Sequence, residues 1–152
     1  MNIEDGAIPV TSKMEMTDLV STVMTKSVVV GNEFHNFSQV VDLFTKVGMH
    51  HLPIVDGKNH LIGIVSSNDL MKVFTDAKYK NLSLNTDESD KTINIKDIMT
   101  TNVVTISPSD TIKHAIKIFA DKKFLALPVV DKGEIVGILS VKDVVYGLAY
   151  FS

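Results

Sequence analysis

LPIVDGKNHLIGIVSSND fills residues 52–69, and LPVVDKGEIVGILSVKD fills residues 127–143. The two stretches share one plan. A proline-led apolar run reaches an aspartate, a short turn containing glycine follows, and a second apolar run ends in Gly-Ile-x-Ser-x-x-Asp. β-branched runs on either side of a glycine-containing turn predict two strands joined as a hairpin. Gly63 and Gly137 sit inside the second strand, where a missing side chain permits close approach of another backbone. Each strand then meets a short apolar-patterned segment, Leu70, Val73 and Phe74 in one copy and Val144, Val145 and Leu148 in the other, which predicts a short helix.

Outward from these hairpins the likeness continues. VMTKSVVV (23–30) aligns with IMTTNVVT (98–105), so Val28-Val29-Val30 and Val103-Val104 predict a first strand in each copy. Phe37, Val40, Val41 and Phe44 recur at i, i+3, i+4, i+7, and Ile112, Ala115, Ile116 and Phe119 repeat that spacing, which is one apolar stripe of an amphipathic helix. Ser109-Asp110 supplies an N-cap for the second of these helices. MTDLVSTVM (16–24) and NIKDIM (94–99) are lead-in helices. The unit is β-α-β-β-α, written twice. Two copies make a tandem duplication, since a solenoid needs three or more. The expected organisation is an N-terminal arm over 1–16, a first repeat over 17–80, a polar acidic linker over 81–94 and a second repeat over 95–152. One such repeat is too small for a comfortable core of its own. The expected fold is therefore α/β of the α+β kind, two repeats packed sheet against sheet about a pseudo-two-fold axis, with a duplicated cleft.

Composition narrows the function. The chain has 152 residues, 45% apolar and 22% charged, an ordinary globular mix. A net charge of −3 gives no basic excess for a nucleic-acid backbone. No cysteine is present, which removes disulfides, thiol nucleophiles and Cys-ligated metals. The acidic N-terminus has no apolar core of a secretory signal, and no run approaches the ~20 apolar residues of a membrane span. The expectation is a cytoplasmic protein. No P-loop, nucleophile elbow or paired carboxylates with context give catalysis a foothold, so no enzyme is expected. Asp87, Glu88 and Asp90 are read as a solvated charge cluster.

VMT…VVV…HLPIVD…LIGIVSSNDL and IMT…VVT…ALPVVD…IVGILSVKDV together resemble the cystathionine-β-synthase (CBS) domain pair, also called a Bateman module. The likeness runs from about residue 18 to residue 150, leaving no sequence for a catalytic domain, as in a stand-alone pair. It implies a regulatory module whose cleft binds an adenosyl compound: AMP, ADP, ATP or S-adenosylmethionine. It also implies a homodimer and a regulated enzyme or transporter as downstream partner. A structural or dimerisation protein with no small-molecule ligand is the alternative.

Ser66 with Asp69, and Ser140 with Asp143, have two readings. Ser-x-x-Asp at a helix start is a capping-box pattern that needs no ligand. The resemblance gives the aspartates the ribose hydroxyls and the serines the sugar–phosphate side. Val28, Val103, Ile64 and Ile138 are core by residue type, whereas in the family such positions border the adenine, with Thr25 and Thr100 as polar contacts beside them. His50 and His51 precede Leu52 as adjacent residues on opposite strand faces, which is poor metal geometry. By resemblance they reach the phosphates, where the second copy has Leu125 and Ala126. That difference predicts tighter binding at the Ser66/Asp69 site, weakening as pH rises through the histidine range. His35, His60 and His114 belong to no constellation.

Overall fold

A computed structural model describes residues 14–83 and 87–150. The chain forms helices α1 (Val20–Val23), α2 (Phe37–Val47), α3 (Ser67–Thr75), α4 (Asp87–Thr92), α5 (Ile95–Ile98), α6 (Ile112–Lys122) and α7 (Val141–Tyr150). Between them run strands β1 (Gly31–Asn32), β2 (His51–Val55), β3 (Leu61–Ser66), β4 (Ala126–Asp131) and β5 (Glu134–Ser140). The mixed α+β class and the repeated helix–hairpin–helix order follow the sequence. Both lead-in helices are present as α1 and α5. Most of the predicted arm, residues 1–13, lies outside the described residues.

The contacts of the described residues gather into two compact units: Val28–Val104 with Lys132–Ile135, and residues 14–27 with Thr105–Asp131 and residues 136–150. The first holds a three-stranded sheet ordered β1-β2-β3. β1 runs parallel to β2, with Gly31 opposite Ile54, and β3 runs antiparallel to it, from His51 opposite Ser66 to Val55 opposite Leu61. Helix α2 is the crossover that parallel pairing demands. It buries Phe37, Val40 and Phe44 on a core completed by Leu52, Ile54, Val65, Ile93 and Ile95. Asn36 opens α2 with a full capping box against Gln39, and Gly48 closes it at φ 73, the left-handed conformation a glycine adopts without strain.

The second unit repeats the scheme with a shorter sheet, β4 beside β5. Ile112, Ala115 and Phe119 of α6 are buried, with Leu127, Val129 and Leu139. The two-residue turn Lys132-Gly133 has positive φ at both positions, 54° and 84°, as a type I′ hairpin turn requires. The longer first turn is organised instead by Asp56. Backbone N–H groups of His60 and Lys58 donate to its carboxylate and hold its pKa below the ordinary range.

Three local expectations are corrected. The first strand lies beyond the valine runs, at Gly31–Asn32 in one copy, and shrinks to a single parallel bridge between Ile106 and Val129 in the other. In the first copy a Cβ on Gly31 would stand 3.1 Å from side-chain atoms of both Ile54 and Leu52, which would have to shift slightly, while in the second copy Ile106 makes the matching bridge. The N-cap of α6 is Thr111, whose hydroxyl accepts the His114 N–H, while Asp110 turns back to accept from Ser107 N–H. The acidic stretch before the second repeat contains α4, and Asp90 is not merely solvated. Its carboxylate accepts from Ser38 N–H at 2.8 Å and Ser38 Oγ at 2.6 Å, at the start of α2.

Candidate functional site

Strand β3 ends where α3 begins, and Ser66 is the joint. Its extended backbone (φ −102, ψ 165) breaks the strand from the helix. Its hydroxyl accepts the Asp69 N–H at 3.1 Å, and Asp69 Oδ2 accepts the Ser66 N–H at 2.8 Å, a closed capping box. Two of the free donors of the helix start are thereby satisfied. Asp69 is 9% exposed and lies in the first turn of α3.

Thr100 completes this frame. Residues 99–101 lie along the inner end of β3: Ile64 N–H donates to Thr100 O at 2.9 Å, and Thr100 N–H donates to Ile64 O at 2.8 Å. The Thr100 hydroxyl then stands 3.4 and 3.5 Å from the two carboxylate oxygens of Asp69. Gly63 makes the approach feasible. A Cβ there would fall 2.5 Å from Met99 Sδ and 3.1 Å from Thr100 O. The Gly-Ile of one repeat and the Met-Thr of the other are therefore partners in one packing unit.

The other compact unit builds the same joint from the reciprocal pieces. Thr25 N–H donates to Ile138 O and Ile138 N–H to Thr25 O, both at 2.9 Å. A Cβ on Gly137 would fall 2.5 Å from Met24 Sδ and 3.0 Å from Thr25 O. Ser140 Oγ accepts the Asp143 N–H at 3.0 Å at the start of α7. Thr25 thus pairs with Ile138, and Thr100 pairs with Ile64 and reaches Asp69 through its hydroxyl. Each threonine joins the strand that leads to the serine and aspartate of the other sequence repeat. Sequence reasoning missed that exchange, although the signal was there: Met24/Met99 and Gly63/Gly137 are each identical between copies.

His51 pairs with Ser66 across β2 and β3, beside the capping box. Burial, then the neighbouring His50, hold its imidazole below the ordinary histidine pKa, with Asp69 pulling the other way. His50 is exposed. Its carbonyl accepts from Ser67 N–H at 3.0 Å, and its Nδ1 lies 3.4 Å from Ser67 Oγ. The matching carbonyl of Leu125 accepts from Val141 N–H. Ile64, Ile138, Val28 and Val103 are half-buried rather than core. Val28 and Val103 take no part in the hydrogen-bonded frame. Of the remaining histidines, His35 Nδ1 accepts from Asn32 N–H and His60 pairs with Asp56. Among the described residues no three His, Cys, Asp or Glu side chains cluster as a metal site, and no helix is long and apolar enough to cross a membrane.

Chemically, each joint offers a carboxylate at a helix start, a hydroxyl and an apolar isoleucine, beside a glycine covered by a methionine. Such a set suits a neutral polyol joined to a flat apolar ring better than a bare anion, which the aspartate repels.

A family model described as CBS domain matches residues 20–76 and again 95–150. Among solved structures, CBSX2 in complex with AMP superimposes with a TM-score of 0.70 at 26% identity, covering 84% of this chain and 92% of that one. The CBS domain pair of a protein in complex with 5′-methylthioadenosine and S-adenosyl-L-methionine gives a TM-score of 0.69 at 25% identity, over 84% of this chain and 93% of the other. Among curated relatives, an uncharacterized 33.4 kDa protein in a ribosomal RNA operon of Thermofilum pendens is 27% identical over 114 residues, 75% of this chain and 33% of that protein. A homoserine O-acetyltransferase of Methanohalobium evestigatum is 29% identical over 82% of this chain, which spans only 23% of that enzyme.

Proposed function

The chain belongs to the CBS domain family, and from that premise we propose that it is a non-catalytic regulatory module binding an adenosyl compound at two sites. One site is built on Ser66 and Asp69 with Ile64, Thr100, His50 and His51. The other is built on Ser140 and Asp143 with Ile138 and Thr25. Val28 and Val103 add apolar surface bordering the adenine.

The observation that carries this reading is the duplicated strand-to-helix joint, with its glycine, its exchanged Met-Thr partner and its aspartate at the helix start. The aspartates accept from the ribose hydroxyls, a charge-assisted pair of hydrogen bonds. Ser66 and Ser140 keep their capping role while a hydroxyl proton stays free to donate toward sugar or phosphate. His50 and His51 supply donors for phosphate at the first site. Two solved relatives that carry AMP in one case, and 5′-methylthioadenosine with S-adenosyl-L-methionine in the other, support the ligand class.

Ligand binding biases a partner, an enzyme or transporter, by no more than the difference in ligand affinity between the module's two states. A homodimer is part of the proposal. An open apolar groove of about 480 Å3 runs beside α6 and α7, lined by Ile116, Phe119, Phe124, Val144 and Leu148 among others. Leu125 and Val145 in its lining are exposed, as is Tyr146 next along α7. A second copy is the commonest partner for such a face. We place the module in the cytoplasm.

A second reading has its own support: the closed capping box at α3 satisfies Ser66 and Asp69 with no ligand. In that case the duplication serves assembly alone. Isothermal titration with AMP, ADP, ATP and S-adenosylmethionine separates the two. Saturable binding of at least one of them, weakened about ten- to a hundredfold by Asp→Ala at its site, is the expected result. Absence of heat with all four, in a folded protein, sustains the assembly reading.

A further inference from the structure

The two aspartates are in different states. Asp69 already accepts the Ser66 N–H at 2.8 Å, and the Thr100 hydroxyl sits 3.4 and 3.5 Å from its two oxygens. It is 9% exposed. At α7 the box is half open. Ser140 accepts the Asp143 N–H, but in the hydrogen bonds among the described residues the Asp143 carboxylate accepts none. Thr25, which corresponds to Thr100, holds Ile138 through its backbone only. Asp143 is half-buried and reached by solvent.

A carboxylate that grips two ribose hydroxyls needs lone pairs free on both oxygens. Among the described residues no donor competes for those of Asp143. At Asp69 one oxygen already accepts the Ser66 N–H, and a ligand hydroxyl must also displace the long contact of the Thr100 hydroxyl at 3.4–3.5 Å, so part of what binding gains is offset. We infer that the two sites load in order, the Asp143 site first and more tightly, the reverse of the order expected from His50 and His51 alone, with Thr100 as a positioning residue beside Asp69. This inference rests on the adenosyl reading of both sites and adds to it a built-in sequence of occupancy. A module that fills one site before the other reports two concentration ranges of a single metabolite class, or takes two different adenosyl compounds without cross-competition at low concentration.

The experiment is isothermal titration with AMP, repeated with S-adenosylmethionine, on wild type, Asp69→Asn, Asp143→Asn, Thr100→Val and Thr100→Ser. Asparagine keeps an acceptor for the cap, so the α3 joint folds in Asp69→Asn, and circular dichroism checks each variant. The expected wild-type isotherm has two steps separated by about threefold, the low end of one hydrogen bond's worth, as suits a contact of 3.4–3.5 Å. Asp143→Asn removes the tighter step and Asp69→Asn the weaker. Thr100→Val tightens the weaker step, while Thr100→Ser, which keeps the hydroxyl, leaves the gap as in wild type. A purely structural threonine would not separate Val from Ser in this way. Loss of the tighter step in Asp69→Asn, or a Thr100→Val protein whose weaker step weakens further, overturns the inference while leaving ligand binding intact. No binding of either compound to any of the proteins overturns the adenosyl reading itself, and the loading order with it.

Discussion

Gly63 and Gly137 each leave a space that a methionine from the other repeat fills. An added Cβ would meet Sδ of Met99 or Met24 at 2.5 Å, and a flexible thioether can swing away. The Thr100 and Thr25 carbonyls behind it, at 3.1 and 3.0 Å, are backbone and cannot move without parting the Ile64 and Ile138 bridges. Gly63→Ala and Gly137→Ala should therefore each cost ~1–3 kcal/mol by overpacking, measured by urea unfolding. Adding Met99→Ala to Gly63→Ala should recover part of the loss, as a coupling energy in a double-mutant cycle. His51 gives a pH signature. Its folded pKa lies below that of the unfolded chain, because burial disfavours its charged form. A depressed histidine binds fewer protons when folded, so its stabilising contribution is present above the unfolded value near ~6.5 and is lost as pH falls through it. His51→Gln should flatten the acid-side fall in stability between about pH 7 and about pH 5. The same shift moves any phosphate-holding charge on His51 to more acid pH than an ordinary histidine would give. The serines, aspartates, glycines and methionines of the joints were legible in the sequence because both copies write them identically. Which threonine meets which aspartate was not, because that depends on pairing between residues far apart in the chain.

At the level of elements, α2 and α6 were legible from spacing alone, since their buried residues are the i, i+3, i+7 set that an amphipathic stripe specifies. The hairpins were legible from the glycine turns between apolar runs. β1 and α4 were not. A two-residue strand carries no periodicity, and a six-residue polar helix has no apolar face; tertiary partners fix both. For α4 that partner is α2. Asp90 receives the N–H and hydroxyl of Ser38, while Ser89 and Ile93 are buried beside it. Asp90→Ala should destabilise the protein by about 1–2 kcal/mol, the usual worth of a cap at a helix start. Asp87→Ala and Glu88→Ala, on exposed neighbours, should stay within ~0.5 kcal/mol. Thermal and urea unfolding of the three variants side by side checks this. Equal small effects would return the whole acidic segment to the role of a solvated linker.

For the whole molecule, the sequence repeat and the compact unit are different divisions of the chain. Residues 14–27 group with the second repeat's strands, and residues 95–104 with those of the first. A repeat expressed alone would lack the Met-Thr segment that borders its own aspartate joint. The proposed dimer belongs at this scale too. The structural argument is the groove beside α6 and α7 with exposed Val145 and Tyr146. Sedimentation equilibrium should give twice the chain mass of 16.7 kDa, and Val145→Glu with Tyr146→Glu should return it to one. A wild-type monomer at tens of micromolar contradicts the dimer. The central claim is that the Ser–Asp joints hold an adenosine. The most direct measurement is a crystal structure of the protein grown with its tightest ligand among AMP, ADP, ATP and S-adenosylmethionine. The account predicts an adenosine whose ribose hydroxyls lie within hydrogen-bonding distance of the Asp143 carboxylate, and at higher concentration of Asp69 as well. Ligand density elsewhere, or both joints unchanged at saturating ligand, would contradict it.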